Sequence, residues 1–334
     1  MKAGVTIILP TFNRAAFLEE AFSSIEAQTF RDWDLVVVDD GSTDGTREIV
    51  AAFARRQPDR TRYVYQPNGG AYSARNRGID HVTGRYVAFF DSDDLWLPHH
   101  LDRCAAVLES QPDVDWVFGS CRLVNHADGR LIGENTFYVD GRPRPFLALA
   151  TRSAGEVRII EDRHALECQV THGLYCGLQN SVIRASVFAE RRFNPLSKVV
   201  DDELFVIRAL AEGVRFAYFV DPHVIYRVHD DNSSGSASGM SATRYLAIFE
   251  ETTDGLEDLL LKLSLTPRQR RAFERRLGRE YFWHVGYLGL WQGGRKREAL
   301  AMFKRGLALW PWQISAWKTY LGALLKVGVG RVPV

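Results

Sequence analysis

Tyr86-Val87-Ala88-Phe89-Phe90-Asp91-Ser92-Asp93-Asp94 is the stretch on which the reading of this chain turns. An unbroken apolar run followed at once by acids reads as a strand buried on both faces that ends in a carboxylate-bearing loop. Upstream, Val5–Leu9, Leu35–Val38 and Arg62–Tyr65 repeat the pattern of short strands. Between them Phe17, Leu18, Ala21, Phe22 and Ile25 recur at helical spacing, Ile49, Val50 and Phe53 follow a Thr43-Asp44 cap, and Ala71–Val82 reads as a helix. Alternating strands and helices predict an α/β fold, a mostly parallel sheet with helices on both faces. Ligands of such sheets sit beyond the carboxyl ends of the strands, so the polar residues after Leu9, Val38 and Phe90 are expected to converge.

Farther along, Trp116–Val124 reads as a strand leading into a turn at Asp128-Gly129. From Gly133 to Gly177 no clean periodicity emerges, which suggests loops and short elements around a second substrate. Asp201–Leu210 reads as a helix, and Phe216–Val220 and Val224–Tyr226 as two short strands. The Ser/Gly-rich Asn232–Ser241 is the best linker, and the sequence beyond it is helical in character. Tyr287, Gly289, Ala299, Phe303 and Pro311 have the rhythm of one tetratricopeptide-type pair, for which an ordinary helical hairpin is the simpler reading.

The 334 residues suit a large catalytic domain with an appendage, and 46% hydrophobic with 25% charged content is ordinary for a globular protein. A formal net charge of +1 gives no argument for nucleic acid. Charge is nevertheless uneven: acids cluster in the first third and Arg/Lys in the last, either as solvated helix faces or as a surface for an anionic partner. Cys104, Cys121, Cys168 and Cys176 have no metal-finger spacing and fit a reducing compartment. No signal-peptide pattern or membrane-spanning run is visible, so the expected location is cytoplasmic, with peripheral contact at the inner face of the membrane left open.

Asp91 and Asp93 lie one residue apart at a strand end, where they can hold a hard divalent cation together with phosphate oxygens; solvated loop acids would look the same. Asp39-Asp40 end another apolar strand, where a carboxylate can accept a hydrogen bond from a pyrimidine N–H or a ribose. The ordered segments Val5-Thr6-Ile7-Ile8-Leu9-Pro10-Thr11-Phe12-Asn13-Arg14, Val38-Asp39-Asp40-Gly41-Ser42-Thr43-Asp44-Gly45-Thr46, Asn68-Gly69-Gly70 with Ala74-Arg75-Asn76-Arg77-Gly78, and Phe89-Phe90-Asp91-Ser92-Asp93-Asp94 together resemble the nucleotide-binding half of the family 2 glycosyltransferases, which have the GT-A fold. Asp201-Asp202-Glu203-Leu204 with Arg208 resembles the family's acidic pair on a helix, and Tyr226-Arg227-Val228-His229-Asp230-Asp231-Asn232-Ser233-Ser234 its closing segment.

The resemblance implies an inverting, metal-dependent transferase using a nucleoside-diphosphate sugar, UDP favoured, and Mn2+ or Mg2+. The hydroxyl acceptor would be a glycan, a lipid-linked molecule, a protein or a small molecule. Polysaccharide or other glycoconjugate synthesis is the expected setting; a non-catalytic nucleotide-sugar-binding module with a partner-recruiting tail is the alternative. By position, Pro10, Thr11, Phe12, Asn13, Arg14, Asp39, Asp40, Asn68, Gly69, Arg75, Asp91 and Ser92 would form the donor site. Phe12 would stack on the base, Asp40 would take its N–H, and Arg75 would lie near the diphosphate or base. Asp93, Asp91 and His229 would serve the metal, and Asp202 would be the general base. The family's pair usually opens with Glu, where this chain has Asp201. The implied organisation is a catalytic domain over 1–235, with a nucleotide-binding part (1–110) and an acceptor-binding part (111–235), then a helical region over 236–334. Trp310, Trp312 and Trp317 near the end could dock on the catalytic domain, form a homodimer contact or lie on a membrane.

Overall fold

The structure, a computed structural model, describes residues 4–195, 197–229 and 241–329. The chain divides into two compact units, Met1–Asn232 and Ser233–Val334.

The first unit is built on strands β1 (Val5–Thr11), β2 (Trp33–Asp39), β3 (Thr61–Tyr65) and β4 (Tyr86–Phe89), connected by helices α1 (Ala15–Glu26), α2 (Thr46–Arg56) and α3 (Ala71–Ile79). After β5 (Leu95–Trp96) and α4 (His100–Ser110) come β6 (Trp116–Asn125), β7 (Leu131–Gly133), β8 (Tyr138–Val139), β9 (Arg142–Pro143), β10 (Thr151–Ala154) and β11 (Val157–Ile160). Helix α5 (Ala165–His172), β12 (Ser181–Arg184), α6 (Asp201–Ala211) and β13 (Phe216–Val228) complete it. The main sheet runs β10-β11-β13-β6-β12-β4-β1-β2-β3, with β5 beside β13 and β7 beside β6. Strands β1 to β4 are parallel, as are β6 and β13, while β12 runs antiparallel between β4 and β6.

This is the GT-A arrangement, a mostly parallel sheet flanked by helices. Apolar strands form it because both of their faces are covered: Val5, Ile7 and Leu9 join one core with Phe22 and Phe53, and Ile8, Val87 and Phe89 join a second with Phe193 and Phe205. Parallel alignment brings the carboxyl ends of β1, β2, β3 and β4 to one edge.

Several expectations are revised. The two short strands expected between Phe216 and Tyr226 are one strand, β13, with an irregularity around Pro222 that keeps it in register with β6. Helix α3 stops at Ile79, short of Val82. Residues 133–177 contain short strands and α5, too brief to generate a period. Helix α2 has Gly45 at its cap and no side-chain cap; Asp44 instead accepts from Thr46 N at 3.0 Å and, across the loop, from Ala15 N at 3.0 Å. Of the Asn232–Ser241 linker only Ser241 lies within the described residues.

The second unit is helical: α7 (Ala242–Lys262), α8 (Pro267–Arg279), a wide-turned π-helix (Glu280–Trp291), α9 (Lys296–Leu309) and α10 (Ile314–Val329). Its own core gathers Phe282, Val285, Leu290, Phe303 and Leu307, with Phe282 and Phe303 stacked at 4.5 Å. Helix α8 starts with Thr266 and Gln269 in a reciprocal capping box and Pro267 in its first turn. Among the described residues no helix is long and apolar enough to cross a membrane.

Candidate active site

The loop after β1 is tied to the loop after β2. Asn13 takes a positive φ of 51°, its amide donates to Ser42 Oγ at 2.9 Å, and its side-chain oxygen accepts from Thr43 N at 2.8 Å. That geometry leaves Phe12 projecting, 46% exposed, while Thr11 is buried and Pro10 half-buried. The loop after β2 touches the third loop through Gly41, whose φ is +85° and at which a Cβ would lie 2.8 Å from Asn68 N. Only glycine allows this approach.

Asp39 and Asp40 are both buried and engaged. Asp39 accepts from Ser42 N at 2.8 Å and from the Tyr63 hydroxyl at 2.6 Å. Asp40 accepts from Gln66 Nε2 at 2.7 Å, Gly69 N at 2.9 Å and Gly70 N at 2.8 Å. These acids are therefore not idle carboxylates awaiting a base, as their place at a strand end suggests. They hold the walls of the donor region, and Asp40 has about one of its four lone-pair sites left for a ligand N–H.

Arg75, expected near the diphosphate or base, is buried. One terminal nitrogen meets Asp201 Oδ2 at 2.7 Å and the other Asp91 Oδ1 at 3.4 Å, with the guanidinium carbon 5.9 Å from the Phe193 ring centroid. Arg75 is thus a strut joining α3, the turn after β4 and the start of α6.

The turn after β4 closes with Asp94 N donating to Asp91 O at 3.0 Å. Ser92 is buried and Asp94 wholly so, its Oδ1 accepting from Arg227 N at 3.1 Å. Burial and the neighbouring Asp93 and Asp91 hold the Asp94 carboxyl well above the usual range, and burial raises Asp91 too. Asp93 turns the other way and meets His229, at the end of β13, with Oδ2 to Nε2 of 3.2 Å. Arg14 approaches the same oxygen at 3.9 Å, and the Phe17 ring lies 5.2 Å from the imidazole. Arg227, two residues earlier, donates to the Asp93 carbonyl and pairs with Glu20, fixing the strand end beside the acid turn. The continuation from Asp230 to Ser234 lies outside the described residues.

The Asp93 carboxylate would suit a hard cation such as Mn2+ or Mg2+, with His229 Nε2, 3.2 Å away, as a second donor. Asp93 supplies the negative charge at this point, since burial holds Asp94 and Asp91 above the usual carboxylate range. The residues therefore fit a divalent cation.

Asp201 and Asp202 open α6 and differ in surroundings. Asp201 is buried in its ion pair with Arg75. Asp202 is partly exposed, its Oδ1 accepting from Glu203 N at 2.7 Å. Burial first, and then the charge of Asp201, push Asp202 up to about 7. A carboxyl at that value is half ionised near neutral pH and suited to taking a proton.

One further cluster escaped the sequence reading. On α4 and β13, Nδ1 of His100 and His223 meet at 3.2 Å, with Cys104 Sγ at 3.9 and 3.6 Å from them. Burial lowers both imidazoles, His223 to about 2, and raises the thiol. Both Nε2 atoms are buried without a hydrogen-bond partner, so no ordered outer shell supports a metal here. The cluster reads as three neutral side chains packed together.

Residues 6–156 match the family model for glycosyl transferase family 2. An uncharacterized glycosyltransferase of Nostoc sp. is 39% identical over 276 residues, covering 79% of this chain and 78% of that protein. The chain belongs to glycosyltransferase family 2. A putative teichuronic acid biosynthesis glycosyltransferase of Bacillus subtilis is 39% identical over 100 residues, which cover 30% of this chain and 39% of that one. The transferase also shares its fold with S. aureus TarS 1–349 in complex with UDP-GlcNAc, at a TM-score of 0.64 and 19% identity over 90% of this chain and 81% of TarS 1–349. A mannosyltransferase of Pyrobaculum calidifontis in complex with GDP-Man and Mn2+ superposes at 0.54 and 19% identity, over 98% of this chain and 87% of that one.

Proposed function

We propose that this glycosyltransferase transfers a sugar, with inversion, from a UDP-linked donor to a hydroxyl acceptor in cell-surface polysaccharide or other glycoconjugate synthesis. The observation that carries the reading is the Arg75 strut. It fixes the acid turn after β4 to the start of α6, where Asp201 is consumed in the ion pair and Asp202 remains partly open.

Phe12 stacks on the nucleobase, and the loops held by Asp39 and Asp40 line its edge together with Asn13, Asn68 and Gly69. Asp91 and Ser92 face the ribose and diphosphate. Asp93 and His229 would hold Mn2+ or Mg2+, with Asp91 the second acid assigned to the cation. When bound, the cation offsets the charge that collects on the departing diphosphate. Asp202 removes the acceptor proton while the acceptor oxygen attacks the anomeric carbon from the side opposite the diphosphate, whose bond to that carbon breaks. One base acting in a single displacement inverts the centre. The UDP preference and the polysaccharide setting draw support from the relatives that bind UDP-GlcNAc or carry the teichuronic acid name; the four unpaired cysteines suit a cytoplasmic site.

The test is donor turnover. Purified protein with Mn2+ and a panel of UDP-, GDP- and dTDP-sugars is expected to release UDP slowly from one UDP-sugar and to stop on chelation. Turnover confined to GDP- or dTDP-sugars sinks the UDP assignment, and unimpaired turnover under chelator sinks the metal.

A further inference from the structure

Helix α10 has two faces of opposite logic. Its inner face is made of small residues: Ala316 and Ala323 are buried against the helical core, with Tyr320 partly buried beside them. Its outer face carries the large apolar side chains. Ile314 is 72% exposed, Trp317 42%, Leu321 56%, Leu324 40% and Leu325 70%, and Trp312 just before the helix is 86% exposed. At 100° per residue these helix positions fall within one stripe about 100° wide. A stripe facing water in this way marks an interaction surface rather than scattered surface residues.

Charge selects the partner. After Glu298 the sequence contains no Asp or Glu, while Lys304, Arg305, Lys318, Lys326 and Arg331 are all basic. Lys318 and Lys326 are exposed on α10 itself, beside the stripe and on the polar flank. The Trp317 indole N–H is tied to the Pro311 carbonyl at 2.7 Å, which holds its ring at the start of the helix. An apolar stripe with tryptophan at one end and lysines alongside is the pattern of a helix lying in the interface of an anionic bilayer. No described helix can span one. A second copy of the chain suits the face less well. A standard interface buries about 800 Å² on each partner, and one stripe along a 16-residue helix is narrow for that.

We propose that the outer face of α10 seats this enzyme on membranes rich in anionic phospholipid. The stripe enters the boundary between headgroups and acyl chains, and Lys318 and Lys326 meet the phosphates. Binding requires no turnover, so it stands or falls separately from the catalytic reading.

The test is sedimentation of the full chain with vesicles of phosphatidylcholine alone or mixed equally with phosphatidylglycerol, at about 0.1 M salt, where surface attraction persists over roughly 10 Å. Expected is binding to the mixed vesicles at least tenfold stronger than to phosphatidylcholine, weakened in high salt. Leu321→Glu with Leu325→Glu is expected to abolish it, and Lys318→Glu with Lys326→Glu to weaken it at least tenfold, with Tm and UDP-sugar turnover in solution unchanged. The second pair preserves the test should the first disturb folding. No binding to the mixed vesicles, equal binding by both variants, or a dimer in solution that Leu321→Glu dissociates would overturn the proposal.

Discussion

Asp202 and Asp201 are chemically identical neighbours that the fold sends to different tasks. Asp201 accepts from Arg75 and stays buried; Asp202 is raised to about 7 by burial and by the charge beside it. Its ionised form is the base, so kcat/KM is expected to rise with pH through about 7 and level off above it, measured at low substrate concentration. Asp202→Asn should retain donor affinity and lose transfer by roughly 10²–10⁴-fold; normal turnover would remove Asp202 from the mechanism. Stability should move the other way. The folded value lies above the ordinary 3.8, so the folded state binds more protons, and a penalty accumulates as pH rises from about 4 to about 7 and is complete above. Asp202→Asn escapes it, so its Tm should match the parent near pH 4 and exceed it by a few degrees at pH 8. Asp93 makes a separate prediction: Asp93→Asn should erase the gain in donor affinity produced by Mn2+ in calorimetric titration. An undiminished Mn2+ effect would remove Asp93 from the ligand set.

At the scale of elements, Arg75 couples three of them, and its loss should show as a folding defect as well as a kinetic one. Arg75→Leu strands the buried Asp201 carboxylate and frees the Asp91 turn, at a cost of about 3–5 kcal/mol. Arg75→Lys keeps the charge but cannot fork to two acids, so an intermediate loss is expected. Urea unfolding orders the parent and variants; a Leu variant as stable as the parent would show that the strut is dispensable. The partners of Arg75 lie 16 and 126 residues away, which is why its place was illegible in sequence although its importance was not. Strands β1, β2 and β4 were legible because burial on both faces writes them as apolar runs. The sequence of β13 reads as two pieces because Asp221-Pro222 interrupts such a run, whereas the structure passes through it by an irregular register. Asp39 and Asp40 lie at a strand end as expected, but most of their donors, the Tyr63 hydroxyl, the Gln66 amide and the Gly69 and Gly70 N–H groups, come from 24 to 30 residues away, beyond the reach of a local pattern. The His100–Cys104–His223 contact was missed for a related reason: only two of its members share a helix.

Across the whole molecule, chemistry and stability are divided between two units. Every residue assigned to donor, cation and proton transfer belongs to Met1–Asn232, while Ser233–Val334 closes a separate core around Phe282 and Phe303. Two units whose cores close independently are expected to melt in two calorimetric transitions, outside two-state behaviour. A ligand stabilises only the species that binds it, by about 2.7 kcal/mol at a hundredfold excess over Kd, so UDP-sugar with Mn2+ should raise one transition and leave the other in place. Thr266→Ala supplies the complementary mark. It removes the capping box of α8, worth roughly 1 kcal/mol, and should lower only the transition that the donor leaves unmoved. If donor and Thr266→Ala instead shift one and the same transition, the two units unfold together, and the donor's binding energy is shared with a helical core that holds none of its contacts.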